Sequence, residues 1–250
     1  MLIGREAERA RLRSLLQDAR EGRSRVLVLS GEPGVGKTAL LDDAVESAEG
    51  MRAVRVVGIE SEASMPFGAL FDVCRPFLAS IADLPDRQRR ALEGALAIGP
   101  GGEGDRFAIG AATLSLLAAD SRAAPLLLVM DDAQWLDDAS AASLAFALRR
   151  LDTDTIAVLI GLRAGEQSGF DAAGFEVLEL ARLSAADAIA LVGSRRTVSR
   201  EQAERIARAS DGNPLAVLEL AGSEASVVEG LVQVTSHIER TFVARVEELP

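Results

Sequence analysis

RVLVLSGEPGVGKT, residues 25–38, decides how the rest of this chain is read. Its first six residues are an apolar run that stops at a glycine, the pattern of a strand buried on both faces of a parallel sheet. GEPGVGKT, residues 31–38, satisfies G-x-x-x-x-G-K-[ST] at every fixed position, and residues 38–48 read as a helix. Strand, glycine-rich turn and helix in that order form a cradle for phosphate, where a merely structural turn would need none of the fixed residues. Gly31, Gly34 and Gly36 let the backbone curl so that successive N–H groups converge on phosphate oxygens. The start of the helix adds a partial positive charge. Lys37 is the only lysine in the chain, and every other permanently cationic side chain is an arginine. A compact ammonium on a flexible stem can reach a β- or γ-phosphate in a way that a planar guanidinium does not reproduce. The Thr38 hydroxyl is expected to ligate Mg²⁺, and Val35 and Ala39 complete the nucleotide-binding stretch.

A chain of 250 residues can bury a sizeable core, as one large domain or as one domain with a smaller companion. With 48% hydrophobic, 26% charged and only 4% aromatic residues, it has the composition of a soluble globular protein with helices packed on a sheet. No apolar run approaches the roughly 18 residues of a membrane span. The N-terminus lacks the apolar stretch and cleavage site of a signal peptide. A single cysteine, Cys74, cannot close an internal disulfide and reads as a small core residue beside Phe71 and Phe77. The expected location is therefore the cytoplasm. A net charge of −11 argues against a broad grip on nucleic acid, although it leaves room for a locally positive pocket around one nucleotide.

Further strands are expected at 53–57, 125–132, 155–163 and 174–180, alternating with helices at 5–21, 67–79, 86–97, 106–119 and 139–150. Such alternation predicts βαβ crossovers and a parallel sheet. Past residue 180 the pattern is helical only, at 185–192, 200–209 and 214–221, and one more helix is expected at 232–248. The expected organisation is a nucleotide-binding domain over 1–181, a small helical lid over 182–222, and the start of a further domain over 223–250. The ending, without cap or charged tail, reads as the edge of a fragment.

LLLVMDDAQWLDD, residues 126–138, supplies the partner of the glycine loop. An apolar strand delivers Asp131 to the metal side of the phosphates, where it is expected to hold Mg²⁺ through water. Asp132 is placed to orient or activate the attacking water. Asp138 is expected to cap the next helix, and Trp135 to serve packing. Arg163 closes the following strand at the carboxyl edge of the sheet, where open α/β sheets bind ligands, and could sense a γ-phosphate or be a solvated loop arginine. GNPL, residues 212–215, reads at the least as a turn with Pro214 at the first position of a helix. His237 has no sequence partner that would make it a ligand.

LIGREAE (residues 2–8), GEPGVGKT, the DDAQW-L-D stretch and GNPL together resemble the signal-transduction ATPases with numerous domains, most closely the ATPase modules of large LuxR-type, MalT-like transcriptional regulators. The resemblance spans about residues 2–222. It implies an α/β P-loop NTPase fold of the AAA+-like kind, a parallel sheet flanked by helices and followed by a helical lid. It also implies ATP or ADP with Mg²⁺ as ligands. Ile3 and Arg5 would border the adenine, Arg163 would be the sensor arginine, and Pro214 the lid proline against the base. The family rests with ADP bound, and exchange for ATP permits self-association. A winged helix, a sensor and a DNA-reading helix-turn-helix would follow this segment. Asp132, one methylene shorter than the glutamate of vigorous AAA+ ATPases, implies slow hydrolysis.

Three functions compete at this point. The first is a regulatory switch driven by nucleotide, with this segment touching neither membrane nor nucleic acid. The second is an AAA+-like motor or loader that turns over continuously, and the third is a module that keeps nucleotide as structural glue. Turnover near 1 s⁻¹ or above would mark a motor, and far slower turnover a switch.

Overall fold

A computed structural model describes residues 2–99 and 105–222. The expected helix at 232–248, with His237, and the expected domain at 223–250 lie outside the described residues. The described residues divide into two units: 5–33 with 37–99 and 105–180, and 2–4 with 34–36 and 181–222.

The larger unit is built on a five-stranded, all-parallel sheet. Its strands are β1 (Arg25–Gly31), β2 (Arg52–Val57), β3 (Leu126–Asp131), β4 (Ile156–Arg163) and β5 (Glu176–Glu179), in the spatial order β2-β3-β4-β1-β5. Every residue of β3, and all of β4 but Arg163, is buried, as their unbroken apolar runs require. At the two edges, β2 keeps only Val54 and Val56 buried and β5 has no buried residue.

Helices α1 (Glu6–Arg20) and α2 (Lys37–Glu46) pack on β1, β3 and β4. Helices α3 (Gly68–Cys74), α4 (Asp86–Ala95), α5 (Arg106–Ser121) and α6 (Asp138–Leu148) share one core with Val54, Val56, Leu126, Leu128, Met130, Ile156, Val158 and Ile160. Cys74 lies fully inside that core with Phe77, and burial pushes its thiol up to about 12.

The helix expected at 67–79 stops at Cys74 and continues as a 3₁₀ segment, Arg75–Asp83. Pro76 has no N–H for the α-helical ladder, so the chain tightens at that point. The cap of α6 also differs from expectation: Asp137, not Asp138, accepts the Ser140 N–H at 2.9 Å. Asp137 is the better placed of the two because its backbone is extended at φ −61°, ψ 147°, the geometry a capping side chain needs, whereas Asp138 is already helical.

The smaller unit contains α7 (Ala185–Arg195), α8 (Arg200–Ala209) and α9 (Pro214–Gly222). Ala188, Val192, Ile206 and Val217 form its core, and Ile3 packs against them. Among the described residues no helix is long and apolar enough to cross a membrane.

Candidate functional site

Three strands end together at the carboxyl edge of the sheet, and each delivers one of the residues singled out in the sequence. β4 lies between β3 and β1, so Arg163 stands in register beside Gly31, the first residue of the glycine loop. The Ala164 N–H donates to the Gly31 carbonyl at 3.1 Å and fastens the two strand ends together. Beyond Gly31, Gly34 and Gly36 take φ of 76° and 104°, a region that side chains other than glycine rarely enter.

Lys37 opens α2 and is 7% exposed. Its Nζ donates to the Gly31 carbonyl at 2.8 Å and to the Glu32 carbonyl at 3.1 Å, so the ammonium lies back across its own loop. Burial pushes its pKa below the ordinary value, the Asp132 charge opposes that shift, and Arg163 adds to it. Thr38 and Ala39, in the same first turn, are exposed.

Asp131 ends β3 and is 3% exposed. Its Oδ1 accepts the Asp132 N–H at 3.1 Å, and its Oδ2 accepts Nη2 of Arg55 at 3.0 Å. Gly161 of β4 makes room for the carboxylate, since a Cβ there would stand 3.0 Å from Asp131 Oδ1 and 3.2 Å from Leu41 Cδ1. Asp132 is left-handed at φ 46°, ψ 44°. Its Oδ1 accepts the Gln134 amide at 2.8 Å and lies 3.5 Å from Nε of Arg163. Gln134 closes the circuit, its Oε1 accepting the Arg163 backbone N–H at 3.2 Å. The Arg163 guanidinium also lies 3.7 Å from Glu166 and 5.7 Å from the centre of the half-buried Trp135 ring, within cation–π range.

Arg5 belongs to the larger unit, 4% exposed and paired with Glu8 at 2.9 Å. Ile3 and Pro214 belong to the smaller unit, as do Gly34, Val35 and Gly36. There the Leu215 N–H donates to the Gly34 carbonyl at 3.2 Å. Asn213 Oδ1 caps α9 by accepting from Leu215 at 3.1 Å and Ala216 at 3.3 Å. A side chain at Gly34 would collide with Asn213 Oδ1 at 2.8 Å, so the GNPL turn and the glycine loop demand each other.

Arg55, Gln134 and Gly161 are the site residues that sequence reasoning missed. Gln134 had a visible signal in the DDAQW stretch, while the other two depend on which strands are neighbours.

Among the described residues no cluster of three or more His, Cys, Asp or Glu could hold a metal on its own. Mg²⁺ does not need one, because it keeps several waters and takes one or two protein oxygens beside those of a phosphate. The Thr38 hydroxyl and Asp131 carboxylate are donors of that kind, and they fit such an ion.

Residues 1–160 match a family model described as AAA ATPase domain. No curated protein matches the chain. Among solved structures, the chain is similar to a signal transduction ATPase with numerous domains carrying a tetratricopeptide repeat sensor, from Pyrococcus horikoshii. That likeness has 18% identity and a TM-score of 0.58, over 96% of this chain and 32% of that one. A point mutant of RuvB from Thermotoga maritima matches at 18% identity and a TM-score of 0.51, over 88% of this chain and 62% of that one. A chain from the HORMA:CdnC:Trip13 complex of E. coli MS115-1 matches at 14% identity and a TM-score of 0.57, over 96% and 89%. The chain thus spans about a third of the first structure and under two thirds of the second. At these identities the likenesses establish the fold, a P-loop NTPase sheet flanked by helices with further helices at the C-terminal end.

Proposed function

This chain belongs to the AAA ATPase domain family, and from that premise we propose that it is a nucleotide-controlled switch that hydrolyses ATP slowly. Lys37 and the loop N–H groups would hold the β- and γ-phosphates, with Thr38 and Asp131 serving a hydrated Mg²⁺ ion. The ion would supply charge neutralisation between phosphate oxygens. Arg163 would face the γ-phosphate. Asp132 would orient a water whose oxygen bonds to the γ-phosphorus as the β–γ bridge breaks, giving ADP and phosphate.

The observation that carries the slow reading is the engagement of Asp132. Its Oδ1 already accepts the Gln134 amide at 2.8 Å, with Arg163 at 3.5 Å. Both contacts fall on that one oxygen, so the carboxylate is aimed by its partners and must be turned before it takes the proton of an attacking water. A γ-phosphate competing for Arg163 would loosen that hold, which couples the presence of ATP to the state of Asp132. The motif resemblance supports the rest: Ile3 and Arg5 near the adenine, Pro214 against the base, and a nucleotide-binding domain over 1–181 with a lid over 182–222. It also supports residues 223–250 as the start of a following domain. In this reading the segment works in the cytoplasm within a LuxR-type regulator, with downstream sensor and helix-turn-helix domains and self-association on binding ATP.

The test is to denature freshly purified protein, identify any released nucleotide by ion-exchange chromatography, and measure steady-state hydrolysis. Near-stoichiometric ADP with turnover well below about 1 s⁻¹ is expected. An empty site with turnover at or above that rate would replace the switch with a motor.

A further inference from the structure

Arg55 is the cation of this site that the phosphate chemistry leaves unused. It stands on the edge strand β2, whose register places Val57 beside Asp131. Residues two apart on a strand share a face, so Arg55 and Asp131 lie on the same side of the sheet, one diagonal step apart. This is the side of α2, which contributes Asp42. The Arg55 guanidinium spans the two carboxylates, Nη1 donating to Asp42 and Nη2 to Asp131 Oδ2 at 3.0 Å.

The two ends of this bridge are unlike. The Asp42 side chain is 49% exposed, so water can replace its share of the contact, whereas the Asp131 side chain is 5% exposed. A charge held 3.0 Å from a nearly dry carboxylate acts through a lower effective dielectric than one at the surface. Asp131 does not depend on Arg55 for its position. Its other oxygen is fixed by the Asp132 N–H at 3.1 Å, and its backbone is paired with Val57 in the β2–β3 ladder. Removing the arginine therefore takes away positive charge without releasing the carboxylate.

We infer that Arg55 competes with the divalent ion for Asp131, and that it sets the Mg²⁺ concentration at which the site takes up nucleotide. Asp42 draws the guanidinium the other way and moderates the competition. This inference rests on the reading of Asp131 as a residue that serves Mg²⁺.

The experiment is a Mg²⁺ titration of fluorescent ATP-analogue binding to the full chain, read at equilibrium with no turnover required. Arg55→Gln should lower the half-saturating Mg²⁺ concentration by roughly tenfold, as expected for losing one charge beside a divalent ion. Asp42→Asn should raise it by about threefold, because the guanidinium then turns wholly to Asp131. Arg55→Lys, which keeps the charge, should stay near the native midpoint and serves as the second variant should Arg55→Gln not fold. A midpoint unchanged in Arg55→Gln, or moved the same way in Arg55→Gln and Asp42→Asn, overturns the competition. Asp131→Asn separates the two ideas. A native midpoint in that variant removes Asp131 from the ion and with it the premise, while a raised midpoint beside an unmoved Arg55→Gln leaves the premise standing and removes Arg55 alone.

Discussion

Asp132 carries two demands that few residues meet together. Its backbone is left-handed at φ 46°, ψ 44°, and its side chain must be an acceptor for Gln134 and Arg163. Asp and Asn tolerate that backbone, because a short polar side chain can bond locally, whereas alanine there costs about 1–2 kcal/mol. Asp132→Asn should therefore fold with a stability within about 1 kcal/mol of the native chain. It should still bind ATP analogue while hydrolysis drops at least about a hundredfold, the scale of losing a general base. Asp132→Ala should lose hydrolysis and also unfold at lower denaturant. Native turnover in Asp132→Asn would take the water-activating role away from this residue. Asp131, its neighbour in sequence, has a backbone within the β3 ladder and a nearly dry carboxylate, so one dipeptide supplies two different environments.

At the scale of elements, the capping of α6 shows both what sequence offers and where it stops. A DD pair before a helical pattern signals an N-cap, but the choice between the two depends on which one is extended. Asp137 is extended, and being 4% exposed it does more than cap. Its Oδ1 also accepts the N–H of Phe67 at 2.8 Å and its Oδ2 that of Ala69 at 3.3 Å, so one carboxylate closes the starts of α6 and α3. Phe67 is itself left-handed at φ 65°, held there by this contact. Asp137→Ala leaves three backbone donors without their partner and should cost about 3 kcal/mol in urea unfolding. Asp138→Ala, at an exposed first-turn position, should cost about 0.5 kcal/mol through the helix dipole alone. Equal losses would mean that Asp137 does no more than its neighbour. The strands are legible within two residues at every end, the central ones because buried parallel strands are continuous apolar runs. The 3₁₀ segment Arg75–Asp83 was not, since its leucine and isoleucine spacing suits either helix and only Pro76 decides.

At the scale of the whole molecule, sequence named the parts of the site but not their neighbours. The glycine loop, Lys37, Asp131, Asp132 and Arg163 carry local signals, because each follows an apolar strand. Arg55 and Gly161 carry none. Their roles come from the order β2-β3-β4-β1-β5, which sets the two strands on either side of β3, and strand order is a long-range choice that no spacing records. Charge is the other molecule-wide property, and it makes a prediction of its own. Arg23 holds Asp18 below the usual carboxylate range, as Arg89 does Asp86, Arg87 does Asp105 and Arg11 does Glu176; Gln17 and then Arg23 do the same for Glu21. A carboxylate lowered in the folded state stabilises the fold above its unfolded pKa of about 4, and that contribution is lost as pH falls through the folded value. Self-repulsion from the net charge of −11 works in the opposite sense, easing as pH falls toward the isoelectric point near 4.7. The thermal midpoint should therefore hold level or rise from pH 7 to about 5 and fall below about pH 4. These pairs lie mostly at the surface, so about 0.5 M salt should flatten both limbs. A midpoint that stays level or rises below about pH 3 would show that the paired carboxylates do not govern the acid limb.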